Sequence, residues 1–194
     1  MIKTISSYIT NFLYERCVIK EKEFSICVYG FEILLSGIST LLVVIFTSIV
    51  LKKILEMMIF LIFFVILRRC TGGYHAKNYF ACCILTNVSS IGAIYIGEFL
   101  FQWNRYILIV LLGISATVVW FLAPIVNKNK PVKENELPRY RNLARAICIG
   151  YGMIIIVSTV LNNYLFMIFP TMAIFVTAIT LITGKIEKLE KGGN

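Results

Sequence analysis

One stretch, RRCTGGYHAKNYFACC at positions 68–83, holds the only histidine of a 194-residue chain. His75 follows Gly72 and Gly73 and precedes Cys82 by seven residues, with Arg68, Arg69 and Lys77 close by. These residue types suit nucleophilic catalysis. A thiolate is the reactive form of cysteine, nearby cations favour it, and a histidine can serve as its base. If a single ideal helix ran through the stretch, Cys82 would return to within about 20° of His75, while Cys83 would stand about 80° away. Such a run also rises about 10.5 Å, too far for direct contact. The pair can act together only if His75 sits on a bent or looped segment, for which Gly72 and Gly73 supply the backbone freedom. Blander readings fit the same residues: an interfacial histidine that meets water or lipid phosphate, and a small cysteine that packs between helices. A zinc site from Cys70, His75, Cys82 and Cys83 lacks the paired spacing of tetrahedral sites, so no metal is expected. Walker, GxSxG, HExxH and dinucleotide motifs are absent, and no cofactor is expected.

The elements that must hold these residues read as membrane helices. The chain is 59% hydrophobic, its mean hydropathy is +0.84, and several apolar runs approach the roughly 20 residues that cross a bilayer core. The expected fold is an all-α, polytopic integral membrane domain over residues 1–194. Six spans are expected at about 31–51, 54–67, 79–101, 105–126, 146–162 and 164–183. The second is short for a span. Residues 1–29 read instead as an amphipathic helix at the cytoplasmic face, with Ile2, Ile5, Ile9, Phe12 and Leu13 at helical spacing. A charged segment follows it where a signal peptide would have a cleavage site. Asn162 and Asn163 leave room only for a tight helical hairpin, and Pro131 and Pro138 punctuate a polar loop over 127–145.

Charge sets the orientation. Of the 19 Lys and Arg residues, 16 fall in segments 1–30, 68–78, 127–145 and 184–194. The other three, Lys52, Lys53 and Arg105, fall in the intervening loops. That bias places both termini in the cytoplasm of a multi-pass cell-membrane protein. The same charges are spread over several loops, which argues against nucleic acid as a partner. All ten acids are Glu, so no Asp can complete a catalytic triad. Glu32, at the start of the first span, is the first choice for a residue orienting His75, with Asn78 and Asn87 as alternatives. Glu56 and Glu98 fall toward the outer side, where solvation accounts for them.

The stretch RRCTGGYHAKNYFACC resembles the accessory gene regulator B family, membrane endopeptidases of Gram-positive quorum sensing. Arg68, Gly73, His75, Ala76, Lys77 and Cys82 carry the likeness. APIVNKNKPVKENELPRYRNLAR and YGFEILLS extend it over essentially the whole chain. The resemblance implies a cysteine endopeptidase with Cys82 as nucleophile and His75 as base, supported by Arg68, Gly73 and Lys77. Its implied substrate is a short propeptide whose acidic C-terminal tail is removed through a thioester. An internal Cys or Ser of the peptide then closes a thiolactone or lactone signal. Membrane lipids are the implied surroundings, and a homodimer is compatible with the chain. The rival expectation is a non-enzymatic transporter or assembly partner. A transporter should show broken helices or repeats around midplane charges, and neither is legible here.

Overall fold

The computed structural model describes residues 2–16, 18–74, 78–125 and 136–192. Its regular elements are α1 (Ile2–Glu15), a 3-10 turn (Glu21–Glu23), α2 (Phe24–Val50), α3 (Ile54–Thr71), α4 (Tyr79–Trp103), α5 (Arg105–Leu122), α6 (Leu137–Val160) and α7 (Tyr164–Gly192). Among the described residues the only strand-like pairing is a bridge between Gly72 and Ile125. Five helices, α2 and α4 to α7, are long and apolar enough to cross a bilayer. The chain is an all-α, multi-pass membrane protein. Helix α3 has 18 residues, about 27 Å at 1.5 Å each. It outlasts its apolar run because Arg68 turns its charge onto protein carbonyls instead of lipid.

Several boundaries differ from the sequence expectation for physical reasons. The amphipathic N-terminal helix stops at Glu15, and α2 already begins at Phe24. The uncharged stretch FSICVYG continues the first span backwards, and the 3-10 turn before it is closed where the Glu23 carboxylate accepts from Lys20 N at 3.1 Å. Helix α6 starts at Leu137, not at 146, because Pro138 stands in its first turn, where a missing N–H costs nothing. Helix α5 ends at Leu122, since Ala123 is extended before Pro124. Helix α7 runs past the expected end at 183 to Gly192.

Helix α7 is the centre of the bundle and packs against α3, α4, α5 and α6. Its residues Met167, Ile168, Phe169, Met172, Ala173 and Ile174 are buried. A Cβ on Gly97 of α4 would meet Ile168 Cγ2 at 2.6 Å and Met172 Cγ at 2.8 Å, so side chains of α7 lie directly on the α4 backbone there. The interior also collects small hydroxyls. Ser48, Ser90, Thr171 and Thr177 are fully buried, and each bonds a carbonyl one turn back. Meanwhile Phe46, Val88, Ile114 and Phe121 face outward. Small polar groups inside and large apolar ones outside is the arrangement that lipid favours. Helix α1 follows the same rule: it buries Ser6 and Thr10 and exposes Tyr8 and Phe12 while packing on α2.

Consecutive helices run alternately up and down, which gives the bundle two unlike ends. At one end the connections are tight. Lys52 and Asn162 take positive φ, and Asn104 caps α5 by accepting from Tyr106 N at 2.9 Å. Lys53 Nζ lies 2.5 Å from Glu98 Oε1 and 3.5 Å from Glu56 Oε1, while Arg105 donates to Asn162 at 3.1 Å. Glu56 and Glu98 are therefore paired with Lys53, not merely solvated. The other end holds Gly72–Tyr74 after α3, Ala123–Ile125 after α5 and the start of α4, and with them the candidate site.

Candidate active site

The site is built on the turn that leaves α3. Gly72 and Gly73 have φ of +68° and +109°, where an L side chain is strained. Space forbids one as well. A Cβ on Gly72 would collide with the Ile125 carbonyl, and one on Gly73 would meet Thr180 O at 2.8 Å and the Arg68 guanidinium. Ile125 N donates to Thr71 O at 2.9 Å, and Tyr74 N donates to Thr180 O at 2.9 Å. The turn is thus tied to the end of α5 on one side and to α7 on the other.

Arg68 fastens it from within. Its Nη1 donates to Gly72 O and, at 2.8 Å, to Thr180 Oγ1; its Nη2 donates to Tyr74 O. A planar guanidinium suits three acceptors fixed on one side. The same group interacts electrostatically with the Cys82 thiol. Arg68 therefore pins the glycine turn by hydrogen bonds and reaches Cys82 through its charge alone.

Cys82 stands in the first turn of α4, where its backbone N–H closes onto Asn78 O at 3.0 Å. Asn78 itself is extended, with φ −129° and ψ 148°. No single helix runs from the glycine turn to Cys82, so the helical phase between positions 75 and 82 does not separate the two thiols. Their neighbours do. Cys82 is half-buried and feels Arg68. Cys83 lies on the α2 side: Asn87 Nδ2 is 4.0 Å from its sulfur and bonds its carbonyl at 3.3 Å, and Asn87 Oδ1 accepts from Thr47 at 3.0 Å. His75 and Lys77 lie outside the described residues.

Glu32 of α2 reaches the same end of α4. It is 8% exposed and accepts from Tyr79 Oη at 2.8 Å, three residues before Cys82. Asn87 is committed to Thr47 and Cys83, whereas Glu32 is held at the start of α4 by Tyr79. Among the described residues, no group of three or more His, Cys, Asp or Glu side chains is placed to hold a metal ion. Sequence reasoning missed Tyr74, Tyr79, Thr180 and Gly184. Their only signal was the Thr-xxx-Gly spacing at 180 and 184, which is common in membrane helices.

Comparisons with known proteins bear on the family to which the chain belongs. The model of the accessory gene regulator B family matches residues 6–182. An AgrB-like protein of Lactiplantibacillus plantarum is 27% identical over 113 residues, which is 57% of this chain and 55% of that relative. AgrB-like protein 2 of Clostridium perfringens strain 13 is 29% identical over 169 residues, 83% of this chain and 78% of the relative. The chain thus spans about half the length of the first of these relatives. No solved structure matches it. A family match that runs from α1 into α7, and so takes in the glycine turn, Cys82 and Thr180, shows that the chain belongs to the accessory gene regulator B family.

Proposed function

We propose that this chain is a membrane-embedded cysteine endopeptidase that trims a short propeptide and cyclises it. The observation that carries the reading is the half-buried Cys82, one turn into α4, in the field of a guanidinium that also pins the turn leading to His75. His75 takes the proton of Cys82, and the thiolate adds to the carbonyl carbon of the scissile bond. Collapse expels the amine of the acidic C-terminal tail, which receives the proton from His75. The remaining acyl group is held as a thioester on Cys82 Sγ. An internal thiol or hydroxyl of the peptide then attacks that carbonyl, its proton returns to Cys82 through His75, and the ring closes. Neither step consumes water, so the site must exclude it to keep hydrolysis of the thioester from competing. A half-buried cysteine in the first turn of a bundle helix suits that requirement. Glu32, through Tyr79, and Lys77 are supporting residues in this scheme, and both termini lie in the cytoplasm.

The test is the acyl-enzyme. The precursor is sought among neighbouring genes as a short peptide with an internal Cys or Ser and an acidic tail. With its ring-closing residue changed to Ala, the trimmed peptide should accumulate as a hydroxylamine-sensitive mass adduct on Cys82. Cys82→Ala and His75→Ala should each lack the adduct. Release of a linear peptide with no adduct under any condition would point to simple proteolysis, and an untouched precursor would return the chain to a transporter or assembly partner.

A further inference from the structure

We infer that Thr180 and Gly184 of α7 are positioning residues for this reaction: they form the seat that fixes the Gly72–Tyr74 turn and, through it, the base at position 75. The inference rests on the Cys82–His75 reading above. Three observations carry it.

The first is the Thr180 carbonyl. It accepts from Tyr74 N at 2.9 Å and from Thr183 Oγ1 at 3.2 Å. Without it, the Tyr74 N–H, one residue before His75, would lose its bond inside the protein. The second is the Thr180 hydroxyl, used in both directions: it donates to Thr177 O at 2.8 Å and accepts from Arg68 Nη1 at 2.8 Å. Its orientation is fixed, and only Thr or Ser can provide both bonds. The third is the missing side chain at 184. A Cβ there would meet Tyr74 N at 2.7 Å, Gly73 C at 2.9 Å and Gly73 Cα at 3.1 Å, all of them backbone atoms that cannot rotate away. By contrast, a Cβ on Gly30, Gly37, Gly92, Gly113, Gly150 or Gly152 would meet nothing within 4 Å. Helical glycine is optional at those six positions and required at 184.

A seat of this kind serves catalysis if the turn must stand in one place and not merely be held. A misplacement of about 1 Å away from the reacting atoms costs on the order of 10²-fold in rate. Adding a methyl group at 184 must displace the turn by a distance of that order. The expected signature is a loss in kcat with substrate affinity retained, because the seat lies behind the turn, on its α7 side.

The experiment uses the full chain in lipid nanodiscs with its precursor peptide, reading kcat and KM for tail release. Gly184→Ala should lose roughly 100-fold in kcat with KM changed less than about threefold. Its thermal stability should match that of Gly113→Ala, which controls for an added helical methyl. Thr180→Val should lose at least about tenfold, and Thr180→Ser should recover most of it. A substrate-free readout runs beside these: alkylation of Cys82 by iodoacetamide at pH 7, followed by peptide mass, should slow in Thr180→Val and recover in Thr180→Ser. If Gly184→Ala does not accumulate, the Thr180 pair decides the matter. Equal kcat and equal alkylation for Thr180→Val and Thr180→Ser would overturn the inference, as would a Gly184→Ala enzyme that turns over like Gly113→Ala. Changes confined to stability would do the same, since they would reduce the seat to structural glue. Cys82→Ala is measured in parallel. Should it cleave normally, the parent reading fails; should it be inactive while Gly184→Ala works at full rate, only the seat fails.

Discussion

Adjacent side chains on a helix point about 100° apart, and α4 uses that angle to give Cys82 and Cys83 different neighbours. One meets the field of Arg68; the other shares Asn87 with Thr47. Cys82→Ala should therefore abolish precursor cleavage at unchanged membrane abundance, while Cys83→Ala keeps most of the activity. Immunoblots of precursor and enzyme in the same cells check both. Arg68 allows a sharper prediction. A lysine at 68 keeps the charge but cannot reach Gly72 O, Tyr74 O and Thr180 Oγ1 together, since it lacks the rigid fork. Arg68→Lys should lose at least about tenfold in cleavage rate, because each bond to a charged donor is worth roughly 1.5–3 kcal/mol. A lysine variant as active as the parent would show that charge alone is what Arg68 supplies.

At the scale of elements, the glutamates of the far end do a different job. Lys53 draws α3 and α4 together through Glu98, and the hydrogen bond that it donates to the Glu98 carboxylate holds its ammonium above the ordinary pKa. All three side chains are partly open to solvent, so the pairs are worth only about 0.2–1 kcal/mol. Glu98→Gln should lower thermal stability by about that amount and leave precursor cleavage unchanged. These pairings were not legible in the sequence, because Lys53 and Glu98 are 45 residues apart and only the alternation of the helices brings them to one end. Helix identity was legible, since uninterrupted apolar length is a local property. Helix ends were less so: Pro138 reads equally as a loop residue or as the first turn of α6, and the charges after Leu67 hide the last turn of α3. The residues of the candidate site divide the same way. Cys82 and the glycine pair announce themselves by local spacing, whereas Thr180 and Gly184 sit in an apolar helix and acquire meaning only once the turn rests on them.

For the molecule as a whole, the two ends follow the charge. Tight turns at 51–53, 104 and 161–163 close one end, and only three of the 19 Lys and Arg residues accompany them. A cysteine introduced at position 135 should react with an impermeant reagent only after the membrane is opened, and one at Lys52 should react in intact cells. The reverse pattern would invert the topology and place the glycine turn outside.

The seat on α7 also sets an order of manufacture. Arg68 and Thr180 are 112 residues apart in the chain, and Thr71 must find Ile125 as well. While the chain is being made, Cys82 is translated long before the helix on which the glycine turn rests. On the function proposed above, an emerging chain thus lacks the support of its glycine turn, and with it any cleavage, until α7 has entered the membrane. The tight hairpin at Asn162–Asn163 offers the place to test this. Residues 1–163 and 164–194, expressed as separate pieces, should each be inert toward the precursor and should regain cleavage when produced together. Activity from the first piece alone would mean that the turn holds its shape without α7.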